Sequence, residues 1–371
     1  MPHCRRAMIT ATFFLAVFYL TTQSSTPTKL DPIPAAISKK GDKVIEEPLR
    51  KPLTTADLGR KMSDGSGGGP GAGGSRLGQN VLQDASLYDK LGHRYPYDVE
   101  TDFPAYIWQT WKWTPADKKF EFRDSEAAWT ELHPGFVHEV VADDAAARLL
   151  RLLYGSVPEV LKAYHALPLP VLKADFFRYL ILLARGGVYS DIDTVPIQSA
   201  IEWIPDSVSH QTVGLVIGIE ADPDRADWRD WYSRRIQFCQ WTIQSKPGHP
   251  VLRRIVTRIT EATLAKKKAG ELKGVLDENF ILEFTGPAVW TDIIFEHFND
   301  PRYFEPDHPA GPIDWRNFTG MEMPRKVGDV AVLPITSFSP GVGHMGSKDA
   351  SDPMAFVRHD FQGAWRPQKE W

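Results

Sequence analysis

Cysteine is nearly missing: the 371 residues include two, Cys4 and Cys239. Two so far apart build no disulfide framework, and neither has the spacing of a zinc site. Cys239 reads as a small buried apolar residue in a helix. No G-x-G-x-x-G links a strand to a helix, and no Walker-type loop or G-x-S-x-G elbow occurs. Their absence weighs against a dinucleotide dehydrogenase, a P-loop nucleotidase and an elbow-type serine hydrolase. A basic excess is absent too: the formal net charge is −4, unlike the strongly basic surface of a nucleic-acid binder. Long apolar runs are missing except for one, near the N-terminus. What remains is 42% hydrophobic and 11% aromatic, the composition of a globular protein.

The one apolar run is "AMITATFFLAVFYLTT", Ala7–Thr22, about 16 residues after Arg5 and Arg6. Basic residues before it and none until Lys29 predict a signal anchor over 7–22, with residues 1–6 cytosolic and the rest lumenal. A cleaved signal peptide is the alternative, because the run also has that length. Asn317-Phe318-Thr319 is an N-glycosylation sequon, usable in that compartment. From 23 to 100 the chain is rich in Pro, Ser, Thr, Lys and Gly and includes "DGSGGGPGAGGS". This composition predicts a flexible stem, because it holds too little apolar surface to order itself.

A globular body follows over 101–371. Strands are predicted at Ala105–Trp111, Gly135–Val141, 188–193, Thr212–Ala221 and Val330–Pro340. Helices are predicted after Asp143, which caps the first, after Pro158, over Val171–Arg185 with Gly186 and Gly187 ending it, and over Trp228–Gln244, Pro250–Lys268 and Pro287–Phe298. Strands alternating with helices indicate an α/β sandwich on a largely parallel sheet.

The stretch "KADFFRYLILLARGGVYSDIDTVP", Lys173–Pro196, carries four charges inside apolar text. Charges are costly to bury without partners. Asp175 and Arg178 lie one helical turn apart and share a face. They are either a local ion pair or a clamp for vicinal hydroxyls, acceptor and donor together. Asp191 and Asp193 flank Ile192, and on an extended chain both would face one cavity. Two close carboxylates suit a hard divalent cation such as Mg²⁺ or Mn²⁺. The other reading of this pair is a turn, begun by Asp191 and capped by Asp193. Placed after a strand, the pair would sit where open α/β sheets bind ligands.

These residues resemble the sugar-nucleotide motif of glycosyltransferase family 32, and the donor site of the large clostridial glucosylating toxins. The resemblance implies that Asp175 and Arg178 hold donor-sugar hydroxyls, that Tyr189 lines the donor pocket, that Asp191 contacts sugar or ribose hydroxyls, and that Asp193 ligates Mn²⁺. "IWQTWK", Ile107–Lys112, is similar to the family's opening strand beneath the nucleotide base; Trp108 there either stacks on the base or packs in the core. "QWTIQSKPGHPVL", "TGPAVWTD", "FSPGVGHMGS" and "AFVRHDFQGAWR" are similar to the family's fungal initiation-specific α-1,6-mannosyltransferases. His359 in the last of these is a candidate metal ligand and His344 a weaker one. Ala364 stands where the family usually has Ser, which removes one hydroxyl ligand.

The resemblance implies a GT-A-like nucleotide-sugar-binding sandwich, a single Rossmann-like domain on an N-terminal membrane anchor in the Golgi; the endoplasmic reticulum or secretion is the alternative. It implies a retaining, Mn²⁺- or Mg²⁺-dependent transfer of mannose from GDP-mannose to an N-glycan, with Asp191 and Asp193 at the catalytic centre. Front-face attack is the favoured route; a covalent route needs a carboxylate across the sugar, for which Glu283 and Asp292 are the candidates. Thr285, Gly286 and Glu283 are expected on the acceptor side, and the segment Trp228–Gln244 either walls the cleft or packs on the body. Other transferase subunits are possible partners, and nucleic acid is not one. A different donor, a lipid acceptor such as inositol phosphoceramide, and a non-catalytic subunit of a transferase complex are the alternatives.

Overall fold

The structure is a computed structural model that describes residues 45–46, 85–273, 276–304 and 311–361. The chain divides into two units, Met1–Gly41 and Asp42–Trp371, and all described residues belong to the second. The expected anchor over 7–22, most of the stem and Ala364 lie outside the described residues. Among the described residues, no helix is long and apolar enough to cross a membrane.

The elements follow in this order: β1 (Ile45–Glu46), α1 (Leu87–Arg94), β2 (Tyr106–Thr110), α2 (Arg123–Leu132), β3 (Val137–Val141), α3 (Asp143–Tyr154), α4 (Pro158–Ala166), α5 (Pro170–Arg185), β4 (Gly187–Ser190), β5 (Thr194–Pro196), β6 (Leu215–Ala221), β7 (Gln237–Phe238), β8 (Thr242–Ser245), α6 (Pro250–Ala269), α7 (Glu278–Phe284), α8 (Pro287–Phe298), β9 (Arg325–Val327), β10 (Val330–Leu333), α9 (Ile335–Phe338) and β11 (Val357–His359). The central sheet runs β1-β9-β10-β6-β8-β4-β2-β3, with β7 beside β6; β5 and β11 form a separate ribbon. The result is an α/β protein with one core on each face of the sheet.

The sheet is mixed rather than largely parallel. β2 pairs parallel with β3 and β4, and β10 parallel with β6, but β8 runs antiparallel to both β4 and β6. The source of the difference is the segment expected as a helix over Trp228–Gln244. It folds instead as a short 3₁₀ turn at Trp228–Asp230 followed by β7 and the start of β8. Every residue of β8 is buried, and a strand buried on both faces cannot be told from a buried helix by periodicity alone. The reading of this segment as a helical wall of the cleft falls with it.

Smaller corrections follow from local chemistry. Ala142 takes the cap position of α3, and Asp143 is its first helical residue, where the helix dipole favours an acid. The late strand stops at Leu333, and after Pro334 one helical turn replaces it. Residues given to the stem include α1, capped by the Ser86 hydroxyl and holding Leu87 and Leu91 in the core. Two buried residues in eight leave little periodicity to read. The short helices α2 and α7 were likewise not visible in the sequence.

Helix α5 positions the site. Pro170 pre-sets its first turn, and Gly186 ends it at φ 64°. Gly187 follows at φ 94°, and a Cβ there would lie 2.6 Å from the Tyr106 carbonyl oxygen. Only glycine permits this reversal, which lays β4 directly against β2.

Candidate active site

Asp175 and Arg178 are both buried on α5, at 2% and 3% exposure. Arg178 Nη1 lies 2.6 Å from Asp175 Oδ1, and Nη2 reaches Asp191 Oδ1 at 3.0 Å. The Thr285 hydroxyl donates to Asp175 Oδ2 at 2.8 Å and the Gln240 amide to Oδ1 at 3.3 Å. Burial raises the Asp175 carboxyl above its usual range, opposed by the Arg178 charge. Burial alone would lower the Arg178 guanidinium, yet Asp191, Tyr189 and Asp175 hold it well above its ordinary value. The guanidinium also stacks 5.0 Å from the Tyr189 ring centre. Among the described residues Nη1 of Arg178 meets Asp175 only as an off-angle ion pair, and Nε makes no hydrogen bond. Buried donors left so are costly, and a sugar hydroxyl would satisfy them.

The strand β4 ends at Ser190, so Asp191 and Asp193 lie beyond it, in a turn. The Thr194 amide and hydroxyl both donate to the Asp191 carbonyl, at 3.2 and 2.6 Å. The turn reading of this pair is therefore right about the backbone, while the carboxylates still converge. Ile192 between them is buried with Phe120 and Phe122. Tyr189 donates to Asp191 Oδ1 at 2.8 Å, and the Asp191 amide donates to Trp241 O at 2.8 Å.

The ribbon pairing of His359 with Thr194 carries the imidazole to this turn. Its Nε2 lies 3.4 Å from Asp193 Oδ1. One ligand atom each from Asp191, Asp193 and His359 fall within 4.8 Å of one another, the one group of three metal-capable side chains among the described residues. Two carboxylates and an imidazole suit a divalent cation such as Mn²⁺. His359 Nδ1 accepts the Phe361 amide at 2.9 Å, so the neutral ring carries its proton on Nε2. Ligation through Nε2 would move that proton to Nδ1 and break the Phe361 contact. His344 is exposed in a loop and takes no part in the cluster.

A cavity of about 180 Å³ opens beside this constellation, at the carboxyl ends of β2 and β3. Thr110, Asp143, Tyr164, His165 and Lys173 are among its lining residues. Thr110 connects it to the rest of the site through a 3.2 Å contact between its hydroxyl and that of Tyr189.

Residues 120–210 match the family model described as a glycosyltransferase sugar-binding region containing a DXD motif. The initiation-specific α-1,6-mannosyltransferase of Candida albicans is 50% identical over a 301-position alignment that covers 77% of this chain and 78% of that protein. The chain belongs to that fungal family of α-1,6-mannosyltransferases. The initiation-specific enzyme of Schizosaccharomyces pombe is 46% identical over 276 residues, 73% of this chain and 66% of its own. That of Saccharomyces cerevisiae is 36% identical over an alignment that covers 76% of this chain and 82% of its own.

In this mannosyltransferase several expected site residues have other surroundings. Trp108 is a core residue, its indole donating to Gly186 O at 2.9 Å and stacking on Tyr106; it does not line the cavity. Thr285 is fully buried and anchors Asp175 instead of facing an acceptor. Gly286 is buried, and a Cβ there would meet the backbone of Leu282 at 2.9 Å. Glu283 and Asp292 are both gripped by Arg234, at 2.8 and 2.6 Å, so neither stands free across a sugar. Asn317 is half-buried, its amide oxygen accepting the Asp314 amide at 2.9 Å.

The structure also adds residues that the sequence did not single out. Gln109 donates to the Asp191 carbonyl at 3.1 Å; a polar residue in the middle of a buried strand was the available signal. Gln240 and Trp241 were hidden by the helical reading of their segment. Glu220, near the end of β6, accepts from the Gln237 amide at 3.1 Å, and its burial raises the carboxyl to about 7.

Proposed function

We propose that this enzyme is a retaining mannosyltransferase that moves mannose from GDP-mannose to an N-glycan through an α-1,6 link, initiating an outer chain. The observation that carries the reading is the adjacency of two units. A buried Asp175–Arg178 clamp with unsatisfied donors lies one ion pair away from the Asp191, Asp193 and His359 cluster.

A divalent cation, Mn²⁺ or Mg²⁺, held by Asp193 and His359 beside Asp191 would neutralise the diphosphate leaving group. The remaining work is done by the chain. Asp175 accepts from a sugar hydroxyl and Arg178 donates to its neighbour, and both are pre-positioned by Thr285, Gln240 and Tyr189. Rigid positioning of this kind lowers the barrier without a dedicated base. The acceptor hydroxyl attacks from the side of the leaving group, and its proton passes to the departing phosphate oxygen.

The cavity supports the guanine half of the donor. Asp143 in its wall offers a carboxylate that accepts from both N1–H and the 2-amino group of guanine, a pair of donors that uracil lacks. Lys173 in the same wall adds positive charge near the phosphates. The apolar run after Arg5 and Arg6 supports a single-pass type II protein of the Golgi membrane with the body in the lumen.

The full chain in detergent, Mn²⁺ and a mannose-rich N-glycan, supplied in turn with GDP-mannose, UDP-glucose and UDP-galactose, tests the donor. Mannose transfer from GDP-mannose alone is expected. Transfer from a UDP-sugar with none from GDP-mannose overturns the reading.

A further inference from the structure

When a glycosyl–phosphate bond breaks ahead of the incoming hydroxyl, positive charge builds at the anomeric carbon and the ring oxygen, and a nearby carboxylate lowers its energy. The two carboxylates that the sequence offered for that place, Glu283 and Asp292, are both held by Arg234. A third carboxylate is available.

Along β6, Leu215, Ile217, Ile219 and Ala221 belong to the core that contains α5, while Val216 belongs to the opposite core with Trp241. Strand side chains alternate, so Glu220 projects with Val216, away from α5. Because β8 is antiparallel to both β4 and β6, β6 runs in the direction of β4. Glu220 therefore emerges at the same edge of the sheet as Asp191. Beyond the burial that raises its carboxyl, the Arg178 charge lowers it and the Asp191 charge raises it, and the Trp241 indole stands beside it. Trp241 is 4% exposed, and its N–H is turned toward the Glu220 carboxylate without making a hydrogen bond of good geometry among the described residues. A buried donor turned toward a carboxylate but not well aligned with it, near the edge of a site, leaves room for a ligand group that completes the pair.

We propose that Glu220 is a catalytic residue of the transfer, facing the mannosyl ring from the side opposite Asp175 and Arg178 and stabilising the positive charge that forms at its anomeric carbon. The proposal rests on the mannosyl-transfer reading above. The bond from the anomeric carbon to the diphosphate oxygen breaks, its electron pair leaving with GDP. The acceptor oxygen forms the new bond on the same face, and its proton goes to the departing phosphate. Glu220 forms no bond and ends the cycle unchanged. The Trp241 N–H holds a hydroxyl of the same ring.

The test uses the full chain with Mn²⁺, GDP-mannose and a mannose-rich N-glycan. Glu220→Gln keeps the shape and the Gln237 contact but removes the charge. Its kcat should fall about 100-fold or more, with GDP affinity within about threefold of the wild type. Trp241→Phe should lose about tenfold in the same parameter. Glu220→Ala should regain at least about tenfold when formate is added, since a small carboxylate can enter the vacated space. An active wild type with an equally active Glu220→Gln variant overturns this proposal alone. So does a mannosyl–Glu220 adduct seen by intact mass, or a loss of activity matched by an equal loss of GDP binding without formate rescue. A wild type that transfers no mannose overturns the function reading and this proposal with it.

Discussion

Arg178 donates through Nη2 to Oδ1 of Asp191 at 3.0 Å, joining the middle of a buried helix to the turn after the neighbouring strand. The same guanidinium meets Asp175 at 2.6 Å. One side chain thus sets the spacing between the candidate sugar clamp and the candidate metal cluster. Arg178→Ala leaves two buried or half-buried carboxylates facing each other without a counter-charge, which costs about 3–5 kcal/mol. Arg178→Lys restores charge but not the planar fork. It should recover part of the thermal stability and little of the activity, compared by melting and turnover on the same preparations. Equal recovery of both would show that the charge alone matters.

Asp193 and His359 meet at 3.4 Å across the β5–β11 ribbon. Asp193→Asn and His359→Gln should each weaken Mn²⁺ binding about tenfold or more, read as free Mn²⁺ by electron paramagnetic resonance, with the fold intact by circular dichroism. Chelation should abolish turnover, and added Mn²⁺ should restore it. Unchanged Mn²⁺ affinity in both variants would remove them from the metal site.

Asp143 tests which base occupies the cavity. Asp143→Asn exchanges one acceptor oxygen for a donor, so it should lose affinity for GDP and gain it for xanthosine diphosphate. A relative shift of about tenfold is expected from one re-paired hydrogen bond to a charged group, measured by inhibition. A variant that loses both nucleotides equally, or neither, would place the base elsewhere.

His297 is 1% exposed, and burial pushes its imidazole down to about 3, while burial lowers His138 to about 4. In both, the folded value lies below the ordinary one of about 6.5. The unfolded chain therefore takes up protons first as pH falls. Their stabilising effect is complete above about pH 6.5 and is lost progressively from there down to about 4 and 3. Each contributes a slope of about 1.4 kcal/mol per pH unit within its window. Neither His297 nitrogen has a hydrogen-bond partner among the described residues, so His297→Phe should raise the melting temperature at neutral pH and remove one proton's worth of slope between pH 4 and 6. Urea titrations across that range measure it, and an unchanged slope would contradict the assignment.

The sequence was most informative where periodicity and punctuation agree. The Pro170–Arg185 helix, its double-glycine end and the Pro287–Phe298 helix could all be read in it. The four charges of the 173–196 stretch could be read because charge inside apolar text is rare. Asp191 and Asp193 converge, although through a turn and not a strand. What could not be read depends on pairing across the chain. His359 reaches the cluster through its register with Thr194, and Gln240 and Trp241 reach it through β8, whose buried residues carry no helix-or-strand signature. Thr285 reads as a loop residue until its hydroxyl is seen against Asp175. Glu220 closes an otherwise apolar strand and becomes visible only once the alternation of β6 is known.

The linkage of the product is the most direct test of mannosyl transfer at this site. The full chain is incubated with Mn²⁺, GDP-mannose carrying ¹³C at the anomeric carbon, and a mannose-rich N-glycan, and the product is examined by nuclear magnetic resonance. A single new α-anomeric signal correlated with a C6 of an acceptor mannose is the expected result. A β-anomer, another linkage, or labelled free mannose without any glycan product would contradict the account.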